Sequence, residues 1–154
     1  MITVRDLKLI DVWREAENIR KADQLECLAG AGSLVEVHMA MVWDYLEYKR
    51  VALDDEGRLL CAWGVDCGGP LKLGNVWLFA TERAVPKAAA IHRHLKAEMG
   101  TIEGMYPILE CWADSRNTAH HRWLRWLGFK EIGEEPYGKM GLPFKHFRKE
   151  RQCA

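Results

Sequence analysis

Between Asn75 and Leu127 the apolar pattern changes period three times, and this alternation leaves few architectures open to the chain. Val76-Trp77-Leu78-Phe79 is an unbroken apolar run within Asn75 to Ala80, which reads as a strand buried on both faces. Pro86 sits where a first helical turn tolerates it. Ala88 to Met99 then reads as a helix closed by Gly100. Tyr106 to Ala113 is a second apolar strand, and Asn117 to Leu127 a helix ended by Gly128. Two strand–helix–strand crossovers of this kind are right-handed and parallel, or locally so. The strand at Asn75 to Ala80 is expected beside that at Tyr106 to Ala113.

The flanking segments add to this unit. Ile2 to Arg5 is a short strand. From Asp11 to Gly30 the apolar residues Val12, Ala16, Ile19, Ala22, Leu25 and Leu28 recur at three- and four-residue steps, which predicts one or two helices. Ser33 with Glu36 has capping-box spacing and predicts the start of another helix. Tyr48 to Leu53 and Arg58 to Asp66 form a hairpin across Asp54-Asp55-Glu56-Gly57, and Gly68-Gly69-Pro70 then breaks the chain. Phe129 to Gly133 and Pro143 to Arg148 are terminal strands. The order is β, α, α, β, β, β, α, β, α, β, β. It predicts an α/β fold in one domain, residues 1–154, with a mixed central sheet of about six to seven strands and helices on both faces.

Composition excludes several classes. The length of 154 residues suits one domain, and 49% hydrophobic residues exclude disorder. Lys plus Arg and Asp plus Glu both number 22, so no global field draws the chain to nucleic acid or membrane. No nucleic-acid motif is present, and no apolar run approaches a membrane span of roughly 20 residues. The five cysteines, Cys27, Cys61, Cys67, Cys111 and Cys153, show no metal-ligand spacing. With no secretory pattern at Met1 to Asp6, they read as reduced thiols of a cytoplasmic protein.

Asn117-Thr118-Ala119-His120-His121-Arg122-Trp123-Leu124-Arg125-Trp126-Leu127-Gly128-Phe129, taken with the element order, resembles the GNAT superfamily of acyl-CoA-dependent acetyltransferases. Trp77-Leu78-Phe79-Ala80-Thr81, and Asn117 to His120 with Arg122, Leu124 and Gly128, resemble more closely a GNAT-like group of short-tailed phages that includes small internal virion proteins. The superfamily resemblance implies acetyl-CoA along the central strand at Leu78, Phe79 and Ala80. It places the pyrophosphate over Thr81, Arg83, Ala84, Val85 and Lys87, with Asn117 touching the cofactor arm. Helix N-termini and cationic side chains favour an anion there.

Two positions depart from that pattern. The pyrophosphate loop carries no glycine between Gly74 and Gly100, and Leu124 stands where the family often has a proton-donating Tyr. His120, His121 and Tyr137 are candidate general acids; Glu110, Asp66 and His38 are candidate bases. The catalytic set is therefore Glu110, His120 and Tyr137. Two functions are implied. One is direct acyl transfer to an amine. The other is a phage-encoded GNAT-fold protein without catalysis, acting on a host or phage protein in the host cell or the virion. Oligomeric state stays open.

The remaining signals have structural readings. Trp77 and Trp112 read as core, and Trp123 and Trp126 share a helix face. Adjacent His120 and His121 point in different directions and read as surface residues rather than metal ligands, as do His92 and His94. Cys61, Cys67 and Cys111 read as buried thiols. The basic tail from Lys139 to Arg151 reads as a solvated end.

Overall fold

The computed structural model of the protein describes residues 1–67 and 73–151; the Gly68-Gly69-Pro70 break and Cys153 lie outside the described residues. The chain runs β1 (Thr3–Asp6), α1 (Leu9–Glu15), α2 (Lys21–Ala31), α3 (Val35–Val42), β2 (Leu46–Leu53), β3 (Leu59–Cys67) and β4 (Leu73–Ala80). It continues through α4 (Ala88–Met105), β5 (Ile108–Asp114), α5 (Thr118–Trp126), β6 (Lys130–Tyr137) and β7 (Leu142–Glu150). The strands form one seven-stranded sheet in the order β1-β2-β3-β4-β5-β7-β6. Only the β4–β5 pair is parallel, as the crossover through α4 requires. The second crossover has a different outcome: β7 lies between β5 and β6 and pairs antiparallel with both.

Period-two alternation sends each strand's side chains to two cores. In β3, Cys61 and Trp63 face Ile91, Leu95 and Ile102 of α4 and Trp123 and Leu124 of α5. Ala62, between them, faces Val12 of α1 and Val35 and Met39 of α3. Helices thus cover both faces, as expected.

Three local expectations are corrected. The helix α4 does not stop at Gly100 but runs through Gly100 and Gly104 to Met105. Leu95, Met99 and Ile102 extend its buried stripe. Burying a residue such as Ile102 is worth about 1.5–3 kcal/mol, more than the roughly 1 kcal/mol cost of a helical glycine. Helix α3 starts after Leu34 with no side-chain cap from Ser33. Gln24 of α2 does the work instead, its Oε1 accepting from Val35 N at 2.8 Å and its Nε2 donating to Glu36 at 2.9 Å. Pro86 lies in a 3-10 turn, Glu82–Lys87, that precedes α4 rather than in the α-helix itself.

The hairpin tip between β6 and β7 docks on the C-terminal end of α2. Lys139 N and Met140 N donate to Gly30 O and Ala29 O at 3.0 and 3.1 Å. Gly138, at φ 76°, permits this approach: a Cβ there would lie 2.5 Å from Gly30 Cα. This contact holds β6, and with it Tyr137, against α2.

Candidate functional site

Strands β4 and β5 pair over only three positions, Leu73 with Ile108, Gly74 with Leu109 and Asn75 with Glu110. Both then continue, to Ala80 and to Asp114, without pairing to each other, while β4 stays paired with β3 and β5 with β7. The sheet is therefore split, and helix α2 bridges its outer end. Asp23 and Glu26 lie three residues apart on one helix face. Asp23 Oδ2 accepts from Ala80 N at 3.0 Å on the β4 side, while Glu26 Oε1 accepts from Asp114 N at 2.7 Å on the β5 side. Asn117 Nδ2 donates to Asp23 Oδ1 at 2.9 Å, and Arg20 N donates to Ala80 O at 2.8 Å. Burial pushes the Asp23 carboxyl above its ordinary value, although Arg20, His120 and Asn117 oppose this.

Ala80 turns its N–H and C=O to the split, so the strand repeat turns those of Leu78 and Val76 to the same edge. That edge lines a cavity of about 410 Å³ bounded by α2, α3 and both parted strands. His38 of α3, Asp66 of β3, Glu110 of β5, His120 of α5 and Tyr137 of β6 all line it. Five sequence candidates from five elements therefore share one space.

Their environments differ. Glu110 accepts from Arg148 Nε at 3.1 Å and lies 3.4 Å from His146 Nε2. Burial raises the Asp66 carboxyl, with Asn75 and His38 opposing, and leaves its Oδ1 without a hydrogen-bond partner among the described residues. Burial lowers His38, which is therefore neutral near pH 7. Tyr137 is raised by burial and by the nearby Cys111, Asp66 and Glu110, so it keeps its proton. Its ring stacks on Trp112 at 4.4 Å.

No protein-family model matches the sequence, and no curated protein matches it. Solved structures do match over nearly the whole chain. The GNAT superfamily phosphinothricin acetyltransferase from Sinorhizobium meliloti, in complex with AcCoA, is 18% identical with a TM-score of 0.68, covering 97% of this chain and 88% of its own. The N-acetyltransferase from Staphylococcus aureus Mu50 gives 15% and 0.71, covering 97% and 98%. The ribosomal-protein-alanine N-acetyltransferase from Brucella melitensis gives 18% and 0.70, covering 97% and 99%. The chain has the GNAT fold.

Within the GNAT fold, the expected cofactor residues divide. Leu78 and Phe79 line the cavity. Ala80 and Asn117 are tied to Asp23, and Thr81 is buried with its hydroxyl donating to Leu59 O at 2.8 Å. Ala84 is buried, Val85 exposed and Lys87 half-buried. Arg83 forms an ion pair with Glu15. Leu124 is buried in the core and points away from solvent.

Several residues lie elsewhere than the sequence suggests. His120 and His121 are buried, at 2% and 3% exposure, not on the surface. His121 Nε2 donates to Asp114 O at 2.8 Å, which offsets its burial. His120 bridges Glu26 and Cys111, with Nδ1 3.0 Å from Glu26 Oε2 and Nε2 3.8 Å from Cys111 Sγ. The Glu26 carboxylate and Cys111 outweigh burial and raise His120 well above its ordinary value. Cys111 is buried as expected, but Cys67 is exposed. Trp123 is buried and Trp126 exposed, so the two do not share an environment. Trp112 is a cavity wall rather than sealed core. The basic tail is paired, Lys145 with Glu131 at 2.7 Å, Arg148 with Glu110 and Lys149 with Glu103. Among the described residues no cluster fits a metal ion, and no single helix is long and apolar enough to cross a membrane.

The bridging residues Asp23 and Glu26 were not singled out by sequence. Their only signal is two acids three apart in a helix of otherwise apolar repeat.

Proposed function

We propose that the chain is an acyl-CoA-dependent N-acetyltransferase whose amine acceptor sits in the cavity at the split between β4 and β5. The observation that carries this reading is the convergence of His38, Asp66, Glu110, His120 and Tyr137 on that one cavity. A large cavity with convergent polar groups and shifted proton affinities is where such chemistry resides.

The inner edge of the split fits a pantetheine arm. The main-chain N–H and C=O of Leu78 would hold it, and Lys87 at the end of the 3-10 turn would meet its phosphates. When bound, the cofactor supplies an activated acyl carbonyl. His38 is the base that takes the acceptor's proton, because it is neutral near pH 7 and Asp66 steadies its charged form. Glu110 fits this role less well, since Arg148 holds it. Tyr137 keeps its proton and is the acid for a leaving thiolate.

A second reading rests on a specific observation: Asp23 takes the Ala80 N–H and the Asn117 amide, and Glu15 takes Arg83. On that reading the chain is a GNAT-fold binding or virion protein of phage type that acts by contact with a host or phage protein. Calorimetry with acetyl-CoA separates the two. Micromolar binding that is lost in Leu78→Pro, which removes an unpaired main-chain donor of the inner edge, supports the enzyme. Absence of binding at millimolar cofactor refutes it and favours the second reading.

A further inference from the structure

We infer that Cys111 and His120 form a nucleophilic pair oriented by Glu26, and that the acyl group rests on Cys111 Sγ as a thioester during transfer. This rests on the acyltransferase reading for its donor, but the reactive thiol stands on geometry alone. Cys111 lies one residue beyond Glu110, the last position of β5 paired with β4, at the apex of the split. Cys111, His120 and Glu26 all line the 410 Å³ cavity.

The hydrogen-bonding roles follow from the partners. A carboxylate only accepts, so His120 Nδ1 donates to Glu26, at 3.0 Å. Nε2 then faces Cys111 Sγ at 3.8 Å, and the Glu26 contact that raises the proton affinity of His120 favours transfer of the thiol proton to it. Thiol, imidazole and orienting carboxylate in this order are the arrangement that activates a nucleophile, and such contacts are often longer before substrate binds. Glu26 is itself fixed by the Asp114 N–H at 2.7 Å. It acts through His120 and is a positioning residue.

The step balances as follows. The Sγ proton passes to His120 Nε2, and the Sγ electron pair forms a bond to the carbonyl carbon of an acyl thioester. The donor's C–S bond breaks, and its sulfur leaves with the Tyr137 proton while Nε2 keeps the thiol proton. An amine nitrogen then attacks the acyl carbon and gives its proton to His38, the bond to Cys111 Sγ breaks, Sγ regains its proton from His120 Nε2, and solvent passes a proton from His38 back to Tyr137. No oxidant or reductant is consumed.

The test is mass mapping of the native protein after brief exposure to p-nitrophenyl acetate and, separately, to acetyl-CoA. Cys27 is an internal reference, since burial and the neighbouring Glu26 and Glu36 push its thiol up to about 12. Acetylation of Cys111 is expected to be at least about tenfold faster than that of Cys27, and to fall by a similar factor in His120→Gln. Glu26→Gln keeps an oxygen for Asp114 N–H but removes the charge that fixes the ring tautomer. It should slow Cys111 acetylation while leaving the melting temperature near that of the parent. Label from the aryl ester alone supports the thiol pair and refutes acetyl-CoA as donor. Acetyl-CoA binding with turnover that survives Cys111→Ser overturns the inference and leaves the acyltransferase reading standing. Cys111 that reacts only after denaturation, in the parent protein, overturns it outright.

Discussion

Replacing Asp23 with Ala is expected to tighten acetyl-CoA binding, although it removes a buried hydrogen-bonded side chain. On the acyltransferase reading, Asp23 takes two groups that a cofactor arm would use, Ala80 N–H and the Asn117 amide. Hydrogen bonds to a charged group are each worth about 1.5–3 kcal/mol. Burial of the carboxylate offsets much of those gains, as its raised proton affinity in the fold shows. The bridge is therefore held by a small net free energy. We take about 1.5–3 kcal/mol for opening it, which lowers apparent affinity about 10- to 100-fold relative to an open slot. Asp23→Ala removes the competitor and should recover that factor in Kd by calorimetry. Ala80 N–H is left without its partner, so thermal stability should fall by about 1–3 kcal/mol at the same time. Tighter binding in a less stable protein is an unusual pair of signs. A folded Asp23→Ala protein whose affinity is unchanged or weaker would refute the view that α2 competes with the cofactor.

Further outcomes follow from other sites. Gly64→Ala should cost about 1–3 kcal/mol or more of stability by denaturant unfolding, because its Cβ would lie 2.1 Å from Tyr48 O and 2.4 Å from the Trp77 ring. Leu124→Tyr should not create a proton donor. Leu124 is 2% exposed in the α4–α5 core, so the ring overpacks it and lowers the melting point without raising turnover. The pH dependence has two signs. In Asp114 burial raises the carboxyl, but the hydrogen bonds and charge of Arg116 win and hold it below 3.8. Its contribution is complete above the unfolded value and lost as pH falls through the lower folded one, so Asp114→Asn should flatten acid unfolding. Asp23 has a raised folded value, so it costs stability as pH climbs from 3.8 to that value; Asp23→Asn should remove this opposite slope.

The sheet was legible because its signals are local. Val76 to Phe79, Tyr106 to Ala113 and the hairpin at Gly57 carry their period or turn chemistry within a few residues. The failures have a common physical origin in partners distant along the chain. Gly100 reads as a stop, yet α4 continues because Ile102 finds the core. Ser33 reads as a cap, yet Gln24 supplies it from the preceding helix. His120 and His121 read as polar surface because nothing nearby in sequence announces Glu26, 94 residues away, or the Asp114 carbonyl at the end of β5.

The same distance effect shaped the functional reading. Sequence identified His38, Asp66, Glu110, His120 and Tyr137 by residue type alone, and the fold brings them to one cavity because each sits where its element meets the split. A split parallel pair exposes main-chain donors on two lips, and buried donors must find acceptors. In this chain α2 supplies them: Asp23 serves the β4 lip, and Glu26 the β5 lip. Glu26 then has a second oxygen left over, and His120 takes it. The residue that closes the split thus also orients the imidazole beside Cys111. Withdrawing α2 to admit a cofactor arm would therefore release His120 from its carboxylate unless Glu26 stays while Asp23 leaves. The two carboxylates are separable in just this way, because Asp23 is bound to the outer Ala80 and Asn117 whereas Glu26 is bound to β5 and α5. Asp23→Ala should consequently preserve Cys111 reactivity, and Glu26→Gln should preserve the closed outer bridge. If either substitution abolished both properties together, α2 would move as one rigid plug, and the cofactor slot and the thiol pair could not operate in the same state.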